Sequence, residues 1–150
     1  MTESGLKIRL QDAMKAALRA RERARLDAIR LMLAEVQRIE VDERIALDDA
    51  RVLAVLDKMT KQRRDSAAQY RSAGRDELAA QELAEIEIIA SFLPTALTPA
   101  EITALIEQAI ASSGASSARD MGKVMAILKP ELQGRADIGA VSAQVKTRLG

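Results

Sequence analysis

The 150 residues contain neither cysteine nor histidine. Disulfides, thiol nucleophiles, thiolate or imidazole metal sites and the usual general base at neutral pH are therefore outside the means of this chain. What remains for chemistry is a set of cations and carboxylates. Lys58, Lys61, Arg64 and Arg71 stand at steps of three, three and seven, so on a helix they present one basic flank that can meet phosphate. The competing reading is a solvated face laced with ion pairs, favoured by Asp57 four residues before Lys61 and Asp65 beside Arg64. Arg19, Arg21, Arg23 and Arg25 recur at every second residue, which scatters them around a helix unless the chain turns there and gathers them at a corner.

Gly122 falls inside a helical stretch, where glycine costs about 1 kcal/mol relative to alanine. Something must approach closely. The candidates are an RNA backbone, with Lys123, Lys129 and Arg135 nearby to neutralise phosphates, or a neighbouring helix. Gly134 and Asp137 bracket a turn, and the run from Gly134 to Asp137 reads best as turn and N-cap chemistry, with a structural role for Asp137. Glu82 and Glu85 share a helix face and Glu87 points away, so a solvated face is favoured there over a metal or acid–base cluster. Tyr70 and Phe92 are the sole aromatics. Both fall on core stripes, so any RNA recognition must run through phosphates, helix ends and shape rather than base stacking.

These residues need elements to position them. Hydrophobic residues make up 48% of the chain and aromatics 1%, a palette of Leu, Ile, Val, Ala and Met that packs between helices. Leu6, Leu10, Ala13, Met14 and Ala17 predict a first helix over about 4–19. Leu26, Ile29, Met32, Leu33, Val36 and Ile39 predict a second, with neither Gly nor Pro to mark the break near Arg21. Asp48 is placed to cap a third helix carrying Val52, Val55, Leu56, Met59 and Tyr70 inward, ended by Gly74. A fourth runs from Asp76, turns Leu83, Ile86, Ile89 and Phe92 inward and stops at Leu93 before Pro94.

After a short linker over 94–97, Thr98-Pro99-Ala100-Glu101 combines an N-cap, a first-turn proline and a capping-box glutamate. The fifth helix turns Ile102, Leu105, Ile106 and Ala109 inward and ends at Gly114. Ser117 to Asp120 offers a second capping box for a sixth helix limited by Pro130, and Asp137 caps a seventh with Val141, Val145 and Leu149 on one face. The fold class expected is all-α: an N-terminal four-helix unit, residues 1–93, followed by a three-helix unit, residues 98–150.

Charge divides along the chain. The overall net charge is +1. Through Arg75 there are 17 basic and 12 acidic residues, net +5, and from Asp76 onward 6 and 10, net −4.

The stretch Lys58-Met59-Thr60-Lys61-Gln62-Arg63-Arg64-Asp65-Ser66, followed by Tyr70 and Ala73-Gly74-Arg75, resembles the YqeY-like family. Glu82 to Glu87, Phe92-Leu93-Pro94, Met121-Gly122-Lys123-Val124-Met125 and Gly134-Arg135-Ala136-Asp137 follow in that family's order and spacing. The last three helices also resemble the tail domain of the B subunit of glutamine-dependent aminoacyl-tRNA amidotransferases, through the Met121 to Met125 segment. The resemblance implies a seven-helix protein with a tRNA-associated tail, and a family-level link to carbon–nitrogen ligase activity with glutamine as amide donor. No thiol nucleophile or phosphate loop for that chemistry is present in the sequence, and fold kinship alone does not carry a reaction.

The expectation is therefore an adaptor that contacts tRNA or another structured RNA, with Lys123, Lys129, Arg135, Lys61 and Arg64 as phosphate contacts and the N-terminal helices as a handle for a protein partner. Amide transfer with a partner subunit is the alternative, and a pure protein–protein module the next. Neither cofactor nor metal is expected. The N-terminus lacks a basic head followed by an apolar stretch, and no run approaches the roughly 18 apolar residues of a membrane span, which makes the cytoplasm the default.

Overall fold

The computed structural model describes residues 4–150 and contains, among them, seven α-helices and no strands. The chain divides into two compact units, Met1–Leu93 and Pro94–Gly150.

In the first unit α1 spans Gly5–Ala20, α2 Arg23–Glu43, α3 Asp49–Ser72 and α4 Asp76–Ala90. Ser4 caps α1, its hydroxyl accepting from Lys7 N–H at 3.2 Å. The same hydroxyl donates to Asp49 at the start of α3, and Asp49 Oδ1 also accepts from Leu6 N–H at 3.0 Å. One carboxylate thus ties two helix starts together. The break between α1 and α2 is made by Arg21 in the left-handed conformation, φ 58°, and Arg44 ends α2 in the same way. Asp48 caps α3 by accepting from Arg51 N–H at 2.9 Å, and Gly74 follows α3 at φ 74°. Leu10, Ile29, Met32, Val36, Val52, Leu56 and Ile89 are fully enclosed in the core of this unit. Each such aliphatic side chain contributes roughly 1.5–3 kcal/mol by leaving water.

α4 departs from expectation at two points. Leu83 is 40% exposed rather than inward, because the buried line runs through Ala79 and Ile89 with Ile86 half-buried, and Leu83 falls to its side. The helix also ends at Ala90, three residues early. Ser91 Oγ donates to Ile88 O at 2.6 Å, and Phe92 N–H and Leu93 N–H reach back only three residues, so the end tightens before Pro94 is met. Phe92 is nonetheless buried, while Tyr70 is only half-buried.

In the second unit α5 spans Pro99–Ser113, α6 Met121–Leu132 and α7 Ile138–Leu149. The capping box of α5 forms in both directions: Glu101 N–H donates to Thr98 Oγ1 at 3.2 Å and Thr98 N–H to Glu101 Oε1 at 3.1 Å. The box expected at Ser117 does not form. Asp120 accepts instead from Ser116 N–H at 3.0 Å, and a single 3₁₀ turn, Ala118–Asp120, leads into α6. Pro130 lies inside the last turn of α6, which runs two residues further, to Leu132. Asp137 caps α7 by accepting from Gly139 N–H at 3.0 Å. Ile106, Val124, Leu128, Leu132, Val141 and Val145 form the core.

Candidate functional site

The flank of α3 is split by depth. Lys58, Lys61, Arg64 and Arg71 are exposed. Among the described residues Lys61, Arg64 and Arg71 form no ion pair, and the charge of Lys58 helps hold the carboxyl of Glu35 below its ordinary range, behind the larger effect of Arg38. Between them, Thr60 is buried and its hydroxyl donates to Leu56 O at 2.9 Å. Arg63 turns toward α4 and pairs with Glu85 at 2.7 Å. Glu85, read from the sequence as part of a solvated face, is therefore a strut between α3 and α4. Nothing local could have found it, because the two residues are 22 apart in sequence.

The tail-side residues fall into two groups. Gly122, Lys123 and Lys129 are all exposed on α6. Among the described residues no atom outside its own helix lies within 4 Å of where a Cβ on Gly122 would be, which overturns the neighbouring-helix explanation for this glycine, and Gly122 falls in the first turn of α6 rather than its interior. At 100° per residue, Gly122, Ala126 and Lys129 share one face, with Lys123 about 100° to the side. All four are exposed, Lys129 at the edge of the buried line of Val124, Met125, Leu128 and Leu132, about 40° from Met125. Lys123 is 71% exposed, with its Nζ 3.8 Å from Asp120; the carboxyl of Asp120 is held below its ordinary range chiefly by Ser116 N–H. Among the described residues Lys129 forms no ion pair.

Arg135 belongs to the other group. Its Nε donates to Thr95 O at 2.9 Å, and its own carbonyl accepts from Leu97 N–H at 2.9 Å. It holds the segment over 94–97 against the turn containing Gly134, φ 73°, and so is half-buried. Its positive charge also helps keep Glu101 ionised, behind the larger effect of the Thr98 hydrogen bonds.

Among the described residues no group of three or more acidic side chains is placed to hold a metal ion, and no helix is long and apolar enough to cross a membrane.

The sequence profile of the family described as Yqey-like protein matches residues 7–149. A protein named "Altered inheritance of mitochondria protein 41, mitochondrial", from Pyrenophora tritici-repentis, is 26% identical over 146 residues, which covers 95% of this chain and 80% of that relative. Its namesake from Vanderwaltozyma polyspora is 28% identical over 102 residues, 66% of this chain and 55% of that relative. These names correct the cytoplasmic expectation, since both relatives are named as mitochondrial. The absence of a membrane-length apolar helix separates spanning proteins from others, not one aqueous compartment from another. With seven helices in the expected order and a profile match over nearly the whole chain, the protein belongs to the YqeY-like family.

Proposed function

We propose that this protein is a helical adaptor that contacts tRNA or another structured RNA through the exposed face of α6, with Lys123 and Lys129 as its phosphate contacts. The observation that carries this reading is Gly122. Gly122 is the second residue of α6, among the described residues nothing outside its own helix comes within 4 Å of its missing side chain, and Lys129 lies on its face with Lys123 about 100° to the side. A flat, small-residue face with cations at its edges suits a sugar–phosphate backbone, which reads shape and charge rather than base identity. Arg135 is left out of the α6 contact set because it lies in the turn after α6, where its Nε and its own carbonyl both hold the segment over 94–97. Lys61 and Arg64, exposed on α3, are further phosphate contacts in the same reading.

The N-terminal helices supply the handle for a protein partner. Support for that part comes from Leu18, Leu31 and Val41, which are 57%, 48% and 67% exposed on α1 and α2. The mitochondrial setting is taken from the relatives' names, so the RNA to be offered includes mitochondrial tRNA.

The test is fluorescence anisotropy of labelled tRNA, with duplex DNA as control, at two salt concentrations. Wild type should prefer tRNA and weaken as salt rises. Replacing both Lys123 and Lys129 by Ala should lower the slope of log K against log salt by roughly 0.7–0.9 per lost phosphate contact. An unchanged affinity and slope would remove α6 from the account. Equal or absent binding to both nucleic acids would leave the exposed apolar residues of α1 and α2, and with them a protein–protein module, as the better reading.

A further inference from the structure

Outside α3 and α6, the first unit holds a cluster that the reading above does not use. Arg9 from α1 and Arg25 from α2 converge on Phe92, their guanidinium carbons 5.3 and 5.0 Å from the ring centroid. Arg9 Nη2 donates to Ser91 O at 2.8 Å and Arg25 Nη1 to Ser91 Oγ at 3.4 Å. Phe92 is itself buried, so both guanidinium groups lie over a fixed ring.

Two like charges lie here within about 10 Å of each other, roughly one Debye length at 0.1 M salt. Among the described residues neither is paired with a carboxylate. Part of the compensation is internal: the last turn of α4 carries no basic residue of its own, and cations at the negative end of a helix are favourable. That accounts for one donor from each arginine. Each guanidinium has five N–H donors in a fixed fork, and Arg9 keeps the rest of its fork in solvent.

The sequence leading to Arg25 carries the same sign of charge. Residues 1–30 contain eight Lys and Arg against four Asp and Glu. The left-handed Arg21 makes the chain turn where four arginines alternate. Arg19 and Arg21, six and four residues before Arg25, are exposed and, among the described residues, form no ion pair, whereas Arg23 is matched by Asp27 at 3.4 Å. Lys7 and Arg23 are matched by Glu40 and Asp27; Arg9, Arg19, Arg21 and Arg25, which no described carboxylate pairs, outnumber what a single small anion requires and suit a ligand with phosphates in series.

From this we infer that Arg9 and Arg25, held on Phe92, form a phosphate-binding site of the first unit for the backbone of a structured RNA. The inference takes its ligand class from the RNA reading above but uses none of the same residues. Guanidinium forks meet phosphate oxygens two at a time, and the cation–π contact with the ring together with the bonds to Ser91 holds both groups in place before the ligand arrives, which reduces the ordering cost of binding.

The experiment compares wild type, an Arg9→Gln/Arg25→Gln variant, an Arg9→Lys/Arg25→Lys variant and the Lys123→Ala/Lys129→Ala variant by tRNA anisotropy across a salt series, with thermal unfolding of each. The glutamine variant should bind about tenfold more weakly, with a salt slope smaller by one to two contacts. The lysine variant should keep the slope and lose affinity, because the charge persists and the fork does not. Loss in the glutamine variant with none in the α6 variant would uphold this site and remove α6. The converse would overturn this site and leave α6. A glutamine variant that only melts earlier would reduce the arginines to caps of α4 and overturn the inference, as would absence of tRNA binding by wild type. Displacement of tRNA by poly-glutamate of matched charge would overturn phosphate recognition in favour of simple polyanion attraction. If the glutamine variant does not fold, the side-chain Nε–H resonances of Arg9 and Arg25 in wild type decide: shifts on adding tRNA uphold the site, and unmoved resonances overturn it.

Discussion

Arg63 Nε donates to Glu85 Oε2 at 2.7 Å, and this pair spans α3 and α4, the two helices with the most extensive mutual packing. Arg63 Nη1 also reaches Met59 O at 3.3 Å, so the fork is held at both ends. Arg63 is 14% exposed and Glu85 37%, which places the pair between a screened surface bridge and a buried one.

A double-mutant cycle with Arg63→Ala and Glu85→Gln, followed by urea unfolding, should return a coupling of about 1 kcal/mol. Arg63→Ala alone should cost more than Glu85→Gln alone, since it also removes the aliphatic stem and the bond to Met59. Zero coupling would mean that the two groups merely lie near each other.

Acid should loosen the junction of α1, α2 and the α2–α3 loop. Lys7 Nζ donates to Glu40 Oε1 at 2.7 Å and Leu47 N–H to Glu40 Oε2 at 2.9 Å. These bonds, Lys7 first, hold the Glu40 carboxyl below the ordinary glutamate range and outweigh its desolvation. A carboxyl depressed in the folded state binds fewer protons there than in the unfolded chain. Its stabilisation is present above the ordinary glutamate range and is lost as pH falls through the folded value. Asp49 acts in the same direction, held down by Leu6 N–H and then by Ser4. Between about pH 5 and 3 the unfolding midpoint of wild type should therefore fall. Glu40→Gln should start lower at neutral pH and fall less steeply, and a slope equal to that of wild type would discharge Glu40 from this role.

How far the sequence speaks depends on how local the physics is. Asp48, Thr98 with Glu101, and Asp137 could be read as caps because donor and acceptor lie two or three residues apart. The same reasoning failed at Ser117, where the carboxylate of Asp120, one residue before α6, reached Ser116 N–H instead. Ser4 with Asp49, Arg63 with Glu85, and Arg135 with Thr95 join positions 45, 22 and 40 residues apart. No periodicity encodes such pairs. The α6 glycine was legible as a helical oddity, but only the space around it separated an external approach from an internal one. The breaks after α1 and α2 were hidden for another reason: arginine occupies both left-handed positions where glycine is the usual signal.

Those two positions make a direct test. Arg44 ends α2 at φ 58°, its N–H capping the helix. A residue with a Cβ is strained there. Arg44→Gly should raise stability by about 0.5–1 kcal/mol, whereas Arg44→Ala should not, as read by the denaturation midpoint. Equal effects of the two would attribute any change to the lost charge rather than to the backbone.

Gly122→Ala brings stability and binding into opposition. With open space where the methyl group would go, alanine should stabilise α6 through helix propensity, by less than the roughly 1 kcal/mol of a helix interior because Gly122 stands in the first turn. Had the glycine served close packing between helices, the same change would introduce overlap and destabilise. The two explanations thus predict opposite signs for the shift in melting temperature. If the bare face of α6 is instead the seat of an RNA backbone, the methyl group should weaken tRNA binding in the variant that melts later. A protein made more stable and less able to bind is the pattern left by a residue kept for an external partner. A gain in stability with tRNA affinity unchanged would move the contact away from Gly122 and leave the glycine without a reason in this fold.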